Sequence, residues 1–137
     1  MHQTQFFDEA VISHLNEGGM GVGPTDTIYG LLARADKKET VNRVYELKKR
    51  QPTKPCIVLI NSVDELSEFG VANDYVERAK AYWPAPITLV LPVKSAPDYL
   101  TRGGKSLAFR MPDNKPLRAL IRKTAPLIAP SANSEGE

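Results

Sequence analysis

The stretch Leu107-Ala108-Phe109-Arg110-Met111-Pro112-Asp113-Asn114, continued by Pro116 to Thr124 and then by Leu127-Ile128-Ala129-Pro130-Ser131-Ala132-Asn133, reads as strand, helix, strand. The middle segment carries proline in its first turn, where a missing N–H costs nothing. Its flanks are short apolar runs that end in proline and polar residues, as buried strands do. Working outward, Ile87 to Leu91 and Cys56 to Ile60 are two more strand candidates, and Met20 to Gly23 is a short extended stretch running into Pro24. Asp8 is placed to cap a helix reaching about Asn16, with Val11, Ile12 and Leu15 on one face and Gly18-Gly19 ending it. A second helix starts at Thr40, with Val41, Val44, Tyr45, Leu47 and Lys48 spaced for one face. Ser62 and Glu65 form a capping-box pattern for a short helix through Phe69. Another helix opens at Asn73 or Asp74 and ends near Trp83, because Pro84 and Pro86 cannot continue it. Strands and helices therefore alternate irregularly, which predicts an α/β or α+β domain around a mixed sheet.

With 137 residues, the chain fits one compact domain, residues 1–137. Its 42% hydrophobic and 25% charged content match a globular protein and exclude a disordered or rod-like chain. The apolar runs are far shorter than the ~20 residues that span a membrane. The N-terminus carries Asp8 and Glu9 and lacks the basic start and apolar core of a signal peptide. A single cysteine, Cys56, offers no internal disulfide and suits a reducing compartment, so the cytoplasm is the expected location. A net charge of +2 does not announce a nucleic-acid binder.

Several chemistries are missing. No Gly-rich loop runs into Lys-Ser/Thr, and Gly18-Gly19, Gly21 and Gly23 have the wrong spacing for a dinucleotide fingerprint. His2 and His14 stand apart from any metal-ligand pattern, so no protein-held metal is expected. There is no nucleophile elbow and no evident triad. Four polar segments remain. Thr25-Asp26-Thr27 lies directly after a strand, read either as a turn or as a ligand contact. Lys48 and Arg50, with Lys54-Pro55, sit at a helix C-terminus, where cations complement the dipole or wrap an anion. Arg110 lies within an apolar strand and needs either an acid in the fold or an anionic ligand. Ser131 and Asn133 present a hydroxyl and an amide at another strand end. A sheet gathers such ends at one rim. Together they describe a site for a polyanion and a small polar molecule, with a nucleotide as the economical choice.

The motifs Pro24-Thr25-Asp26-Thr27-Ile28-Tyr29-Gly30-Leu31, Lys48-x-Arg50 with Lys54-Pro55, Trp83-Pro84-Ala85-Pro86-Ile87-Thr88-Leu89-Val90, Ala108-Phe109-Arg110-Met111-Pro112 and Pro130-Ser131-Ala132-Asn133 resemble the Sua5/YciO/YrdC family. The resemblance implies a YrdC-like twisted mixed sheet with flanking helices and a basic cavity. It implies synthesis of threonylcarbamoyl-adenylate from ATP, L-threonine and bicarbonate with release of pyrophosphate, Mg²⁺ being carried on the phosphates. A t6A transferase complex would then pass the group to tRNA. By the same resemblance, Lys48 and Arg50 are catalytic, Arg50, Lys54, Arg110 and Asn133 contact ATP, and Thr27, Asn114 and Ser131 hold threonine. Family domains continue past the Ser-x-Asn motif, so residues 1–137 are expected to lack the usual C-terminal segment. Two other readings stay open: a YciO-like paralogue without synthase activity, and a double-stranded RNA-binding module using the basic cavity. Few aromatics are set among the cations, which gives base stacking little support.

Overall fold

The computed structural model describes residues 8–25, 29–51 and 53–130, and the structural statements that follow concern those. Helix α1 (Glu9–Asn16) begins where Asp8 accepts the Val11 N–H at 3.1 Å, and it buries Ile12 and Leu15. It ends at Gly18, whose φ of +91° is open mainly to glycine. Strand β1 (Gly21–Pro24) pairs antiparallel with β2 (Tyr29–Arg34). Helix α2 (Lys38–Lys48) starts two residues before Thr40 and stops where Lys49 turns left-handed at φ 52°. Thr40 is buried because its hydroxyl donates to the Gly18 carbonyl at 2.7 Å, whereas Leu47, expected on the buried face, is 62% exposed.

Strand β3 (Val58–Leu59) is the paired centre of the Cys56–Ile60 run. Hydrogen bonds from Ala129 N to Ile57 O and from Ile60 N to Arg110 O continue its pairing on either side. The predicted capping box is present: Ser62 Oγ accepts from Asp64, and Glu65 accepts from the Asn61 and Ser62 N–H groups at 2.6 and 2.9 Å. Burial pushes the Glu65 carboxyl upward, while those two N–H groups pull it down. The segment it starts, Val63–Phe69, is a 3-10 helix. Helix α3 (Asn73–Ala79) ends four residues short of Trp83, which is buried and donates its indole N–H to Ile87 O at 2.7 Å. Strand β4 (Leu89–Pro92), a short α4 (Asp98–Thr101), β5 (Ser106–Arg110), α5 (Lys115–Lys123) and β6 (Leu127–Ile128) complete the chain as described. Asn114 caps α5 by accepting from Leu117 N at 3.0 Å, with Pro116 in the first turn.

The six strands form one mixed sheet in the order β1-β2-β6-β3-β5-β4. Only β3 and β5 run parallel among the described pairs, with Val58 opposite Phe109 and Leu59 opposite Arg110. Pleating sends alternate residues to opposite faces. Ala33, Val58, Phe109 and Ile128 enter the larger core with α2 and the 3-10 helix, around Val41, Val44, Leu66 and Phe69. Leu32, Leu59 and Leu127 point the other way and pack against Ile12 and Leu15 of α1 and Leu117, Leu120 and Ile121 of α5. That second face is covered over only part of its area. On it, Val90 is paired with Ala108 and is 67% exposed.

Candidate functional site

The uncovered part of the second face is the floor of a cavity of about 330 Å³, within the ordinary size range of small-molecule sites. Alternate residues line it from β5, Ala108 and Arg110, and from the β3 run, Leu59 and Ile57 just before the strand. Ala108 and Ala129 are small, which leaves the depth that a larger pair would fill. Thr88 enters beside β4, and Thr25 and Pro130 form the rim at the β1–β2 end. The rim is tightly fitted. Leu31 N donates to Pro130 O at 3.0 Å, and a Cβ on Gly30 would lie 3.3 Å from both Pro130 O and Thr25 Cγ2.

Two cations reach this space from different elements. Arg50 follows α2, with its N–H on Tyr45 O, and its guanidinium donates from Nε to Lys54 O at 3.1 Å and from Nη2 to Pro55 O at 2.7 Å. The loop between α2 and β3 is thereby folded around the Arg50 side chain, and Arg50 and Pro55 together form one wall. Arg110 ends β5 and donates from Nη2 to Thr88 Oγ1 at 2.6 Å. The fixed fork of a guanidinium suits phosphate or carboxylate oxygens. Among the described residues lining the cavity, Arg50 and Arg110 are the charged side chains.

The other sequence-derived candidates are placed differently. Lys48 is 8% exposed at the end of α2, and its Nζ meets no hydrogen-bond partner among the described residues. Lys54 has an exposed side chain and contributes its carbonyl to Arg50. Asn114 is the α5 cap. These three are not among the described residues that line the cavity. Thr27, Ser131 and Asn133 lie outside the described residues. Thr88 is a contact that reading the sequence assigned no role; the signal was a hydroxyl one residue before an apolar strand.

Behind Arg50 lies Tyr45, 6% exposed, whose hydroxyl donates to Lys54 O at 2.6 Å. The Arg102 guanidinium sits 3.5 Å from the centre of its ring and that of Arg50 sits 5.8 Å away. Burial, then Cys56, push the Tyr45 hydroxyl up to about 12, outweighing the two guanidinium groups. It therefore remains a donor throughout the neutral range.

Among the described residues no group of three or more His, Cys, Asp or Glu side chains is placed to hold a metal ion, and no helix is long and apolar enough to cross a membrane. A second hollow, of about 510 Å³ at the start of α2, is lined by acidic Glu17, Asp36 and Glu39 as well as by Lys37, Lys38 and Arg43. Its mixed signs give it no anion preference.

A family model described as "Telomere recombination", for Sua5, YciO and YrdC, matches residues 13–137. The chain belongs to the Sua5/YciO/YrdC family. Among curated members of the Sua5/YciO/YrdC family, the chain is 39% identical over 130 residues to the threonylcarbamoyl-AMP synthase of Bacillus subtilis, covering 90% of this chain and 37% of that protein. It is 36% identical over 127 residues to the Pyrococcus abyssi threonylcarbamoyl-AMP synthase, with the same shares. The chain thus spans little more than a third of the length of these relatives. The crystal structure of P. abyssi Sua5 complexed with L-threonine superposes with a TM-score of 0.84 at 34% identity, over 98% of this chain and 42% of that one. The mixed sheet with flanking helices is the Sua5/YciO/YrdC domain.

Proposed function

We propose that the 330 Å³ cavity is the nucleotide and threonine site of a threonylcarbamoyl-AMP synthase, a nucleotidyltransferase serving t6A modification of tRNA. The observation that carries this reading is the meeting of Arg50 and Arg110, from separate elements, over one small-residue floor. The names of the relatives and the threonine bound to P. abyssi Sua5 supply the substrate class.

In this reading the amine of L-threonine adds to the carbon of CO₂ and gives up a proton, or adds to bicarbonate with loss of water, giving an N-carboxylate. A carboxylate oxygen then attacks the α-phosphorus of ATP. The bond to the bridging oxygen breaks, and pyrophosphate leaves with the electron pair. Nothing here calls for a covalent protein nucleophile; positioning and charge neutralisation suffice. Arg50 and Arg110 neutralise phosphate charge as it shifts toward the leaving group. By the family resemblance Lys48, buried two residues before Arg50, adds to that role. By the same resemblance Lys54 and Asn133 contact the nucleotide, while Thr27, Asn114 and Ser131 hold the amino acid; Asn114 would do so beside its capping bond from Leu117 N. Mg²⁺ would neutralise further phosphate charge; the lining of guanidinium and hydroxyl groups fits phosphate oxygens, so the ion would arrive on the triphosphate.

The test is pyrophosphate release with ATP, bicarbonate and Mg²⁺, with and without L-threonine. Release that requires threonine supports the synthase. Release indifferent to threonine, or none, overturns it. A salt-sensitive affinity for double-stranded RNA with no response to either small molecule would favour the RNA-binding alternative instead.

A further inference from the structure

We propose that Tyr45 is a positioning residue for Arg50: its hydroxyl, anchored from behind by Arg102, fixes the Lys54 carbonyl on which the Arg50 guanidinium is aimed. The inference rests on the nucleotide-site reading above and adds a residue to it.

Two donors converge on one acceptor. Lys54 O receives the Tyr45 hydroxyl at 2.6 Å and Arg50 Nε at 3.1 Å. A carbonyl has two lone pairs, so both bonds coexist. The loop that carries it is exposed at Gln51, Thr53 and Lys54, and within it Lys54 N donates to Gln51 O at 3.1 Å. Tyr45 is buried and belongs to α2, so it ties an exposed loop to a rigid element. With Lys54 O fixed, the Nε and Nη2 bonds set the plane of the guanidinium and the direction of the remaining N–H groups.

The anchoring continues away from the cavity. Arg102 lies over the Tyr45 ring at 3.5 Å and donates from Nη2 to Asn42 Oδ1 at 3.0 Å. Asn42 is on α2, and Arg102 follows α4 with a left-handed φ of 55°. Asn42, Arg102 and Tyr45 are not among the described residues lining the cavity. They reach it through Lys54 O and Arg50. A cation over an aromatic face is held most firmly when desolvated, and Tyr45 is desolvated here.

Calorimetric titration of ATP into the wild-type chain, Tyr45→Phe, Arg50→Lys and the double variant tests this. Phenylalanine keeps the ring beneath Arg102 and removes only the donor. The expected result is a Kd for ATP raised about 3–10-fold, the effect of one hydrogen bond. In the Arg50→Lys background, which lacks the fork, the same change is expected to move Kd less than about twofold, a loss of coupling that a general structural role would not produce. Equal effects in both backgrounds, or none in the wild type, overturn the inference. A wild-type chain that binds no ATP removes the nucleotide-site reading and this inference together. Should Tyr45→Phe fail to fold, Arg102→Gln retains the hydroxyl and is expected to raise Kd in the same direction, again only when Arg50 is present; no change there overturns the inference equally.

Discussion

Arg110 and Thr88 meet on the open face of the β4–β5 pair, with Nη2 donating to Oγ1 at 2.6 Å. The contact orients one of the two guanidinium groups of the cavity through an exposed residue that no core contact depends on. Thr88→Val keeps the branched shape and removes the acceptor. Its expected effect is a rise of about 5–10-fold in KM for ATP with little change in kcat or melting temperature, the equivalent of one ordinary hydrogen bond. Steady-state kinetics beside a thermal melt would check it.

Arg50→Ala removes both a cavity wall and the bonds to Lys54 O and Pro55 O. Turnover is expected to fall by at least about 100-fold, as for other charge-stabilising groups. Its secondary structure by circular dichroism should be unchanged, because the loop it holds lies outside the helices and strands. Activity within about threefold of wild type would contradict the role given to it.

At the rim, Gly30 has no room for a side chain without displacing Pro130 O or Thr25. Gly30→Val is expected to weaken ATP and threonine binding by about tenfold or more, and Gly30→Ala less, since its neighbours need yield only a few tenths of an ångström. Titration of each substrate into both variants separates a graded steric effect from none.

How far the sequence could be read follows from where its signals are local. Asp8, the Ser62–Glu65 box and the Asn114–Pro116 start each use hydrogen bonds to nearby backbone, and their elements begin within a residue or two of expectation. Strand β2 was not anticipated. Its Tyr-Gly-Leu-Leu-Ala-Arg run has no period-two pattern because Leu31, Leu32 and Ala33 are buried consecutively, between two covered faces. The four-residue α4 is too short for any periodicity. Leu47 was expected on the buried face of α2 and is exposed, while Thr40, read only as the helix start, is buried with its hydroxyl on Gly18 O. In the site, Arg110 was legible as a cation in a costly position and Arg50 as one of two cations at a helix C-terminus. Thr88 was not, because only the β4–β5 register brings it to Arg110.

Lys49 is a non-glycine residue in the left-handed region at the end of α2, a conformation that costs a β-carbon about 1–2 kcal/mol. Lys49→Gly removes that strain and adds flexibility to the unfolded chain. The expected net gain is about 0.5–1 kcal/mol, read as a higher denaturation midpoint at unchanged slope.

Arg34 clasps Asp36 through two bonds of 2.9 and 2.6 Å and also donates to Asn16 at 2.7 Å, which links the end of α1 to β2. The hydrogen bonds from Arg34 hold the Asp36 carboxyl below its ordinary 3.8. A depressed folded value contributes stability above the unfolded one, and that contribution is lost as pH falls through the folded value. Because the carboxylate is exposed, the contribution is at most about 1 kcal/mol. Asp36→Asn should therefore be slightly less stable than wild type at pH 7 and indistinguishable from it once the pH is well below 3.8. Denaturant titrations at both pH values would show this.

In β5 the burial alternates residue by residue, with Leu107 and Phe109 inside and Ala108 and Arg110 toward the cavity. Neighbouring codons in this strand thus answer to different selective demands, one to melting and the next to ligand. Deleting a single residue there would swap the two roles along the remainder of the strand, turning an arginine into the apolar interior and a phenylalanine onto the binding floor. Both properties would fail together. For the same reason, independent drift at Ala108 and Phe109 should leave separable signatures, the first in affinity and the second in thermal tolerance.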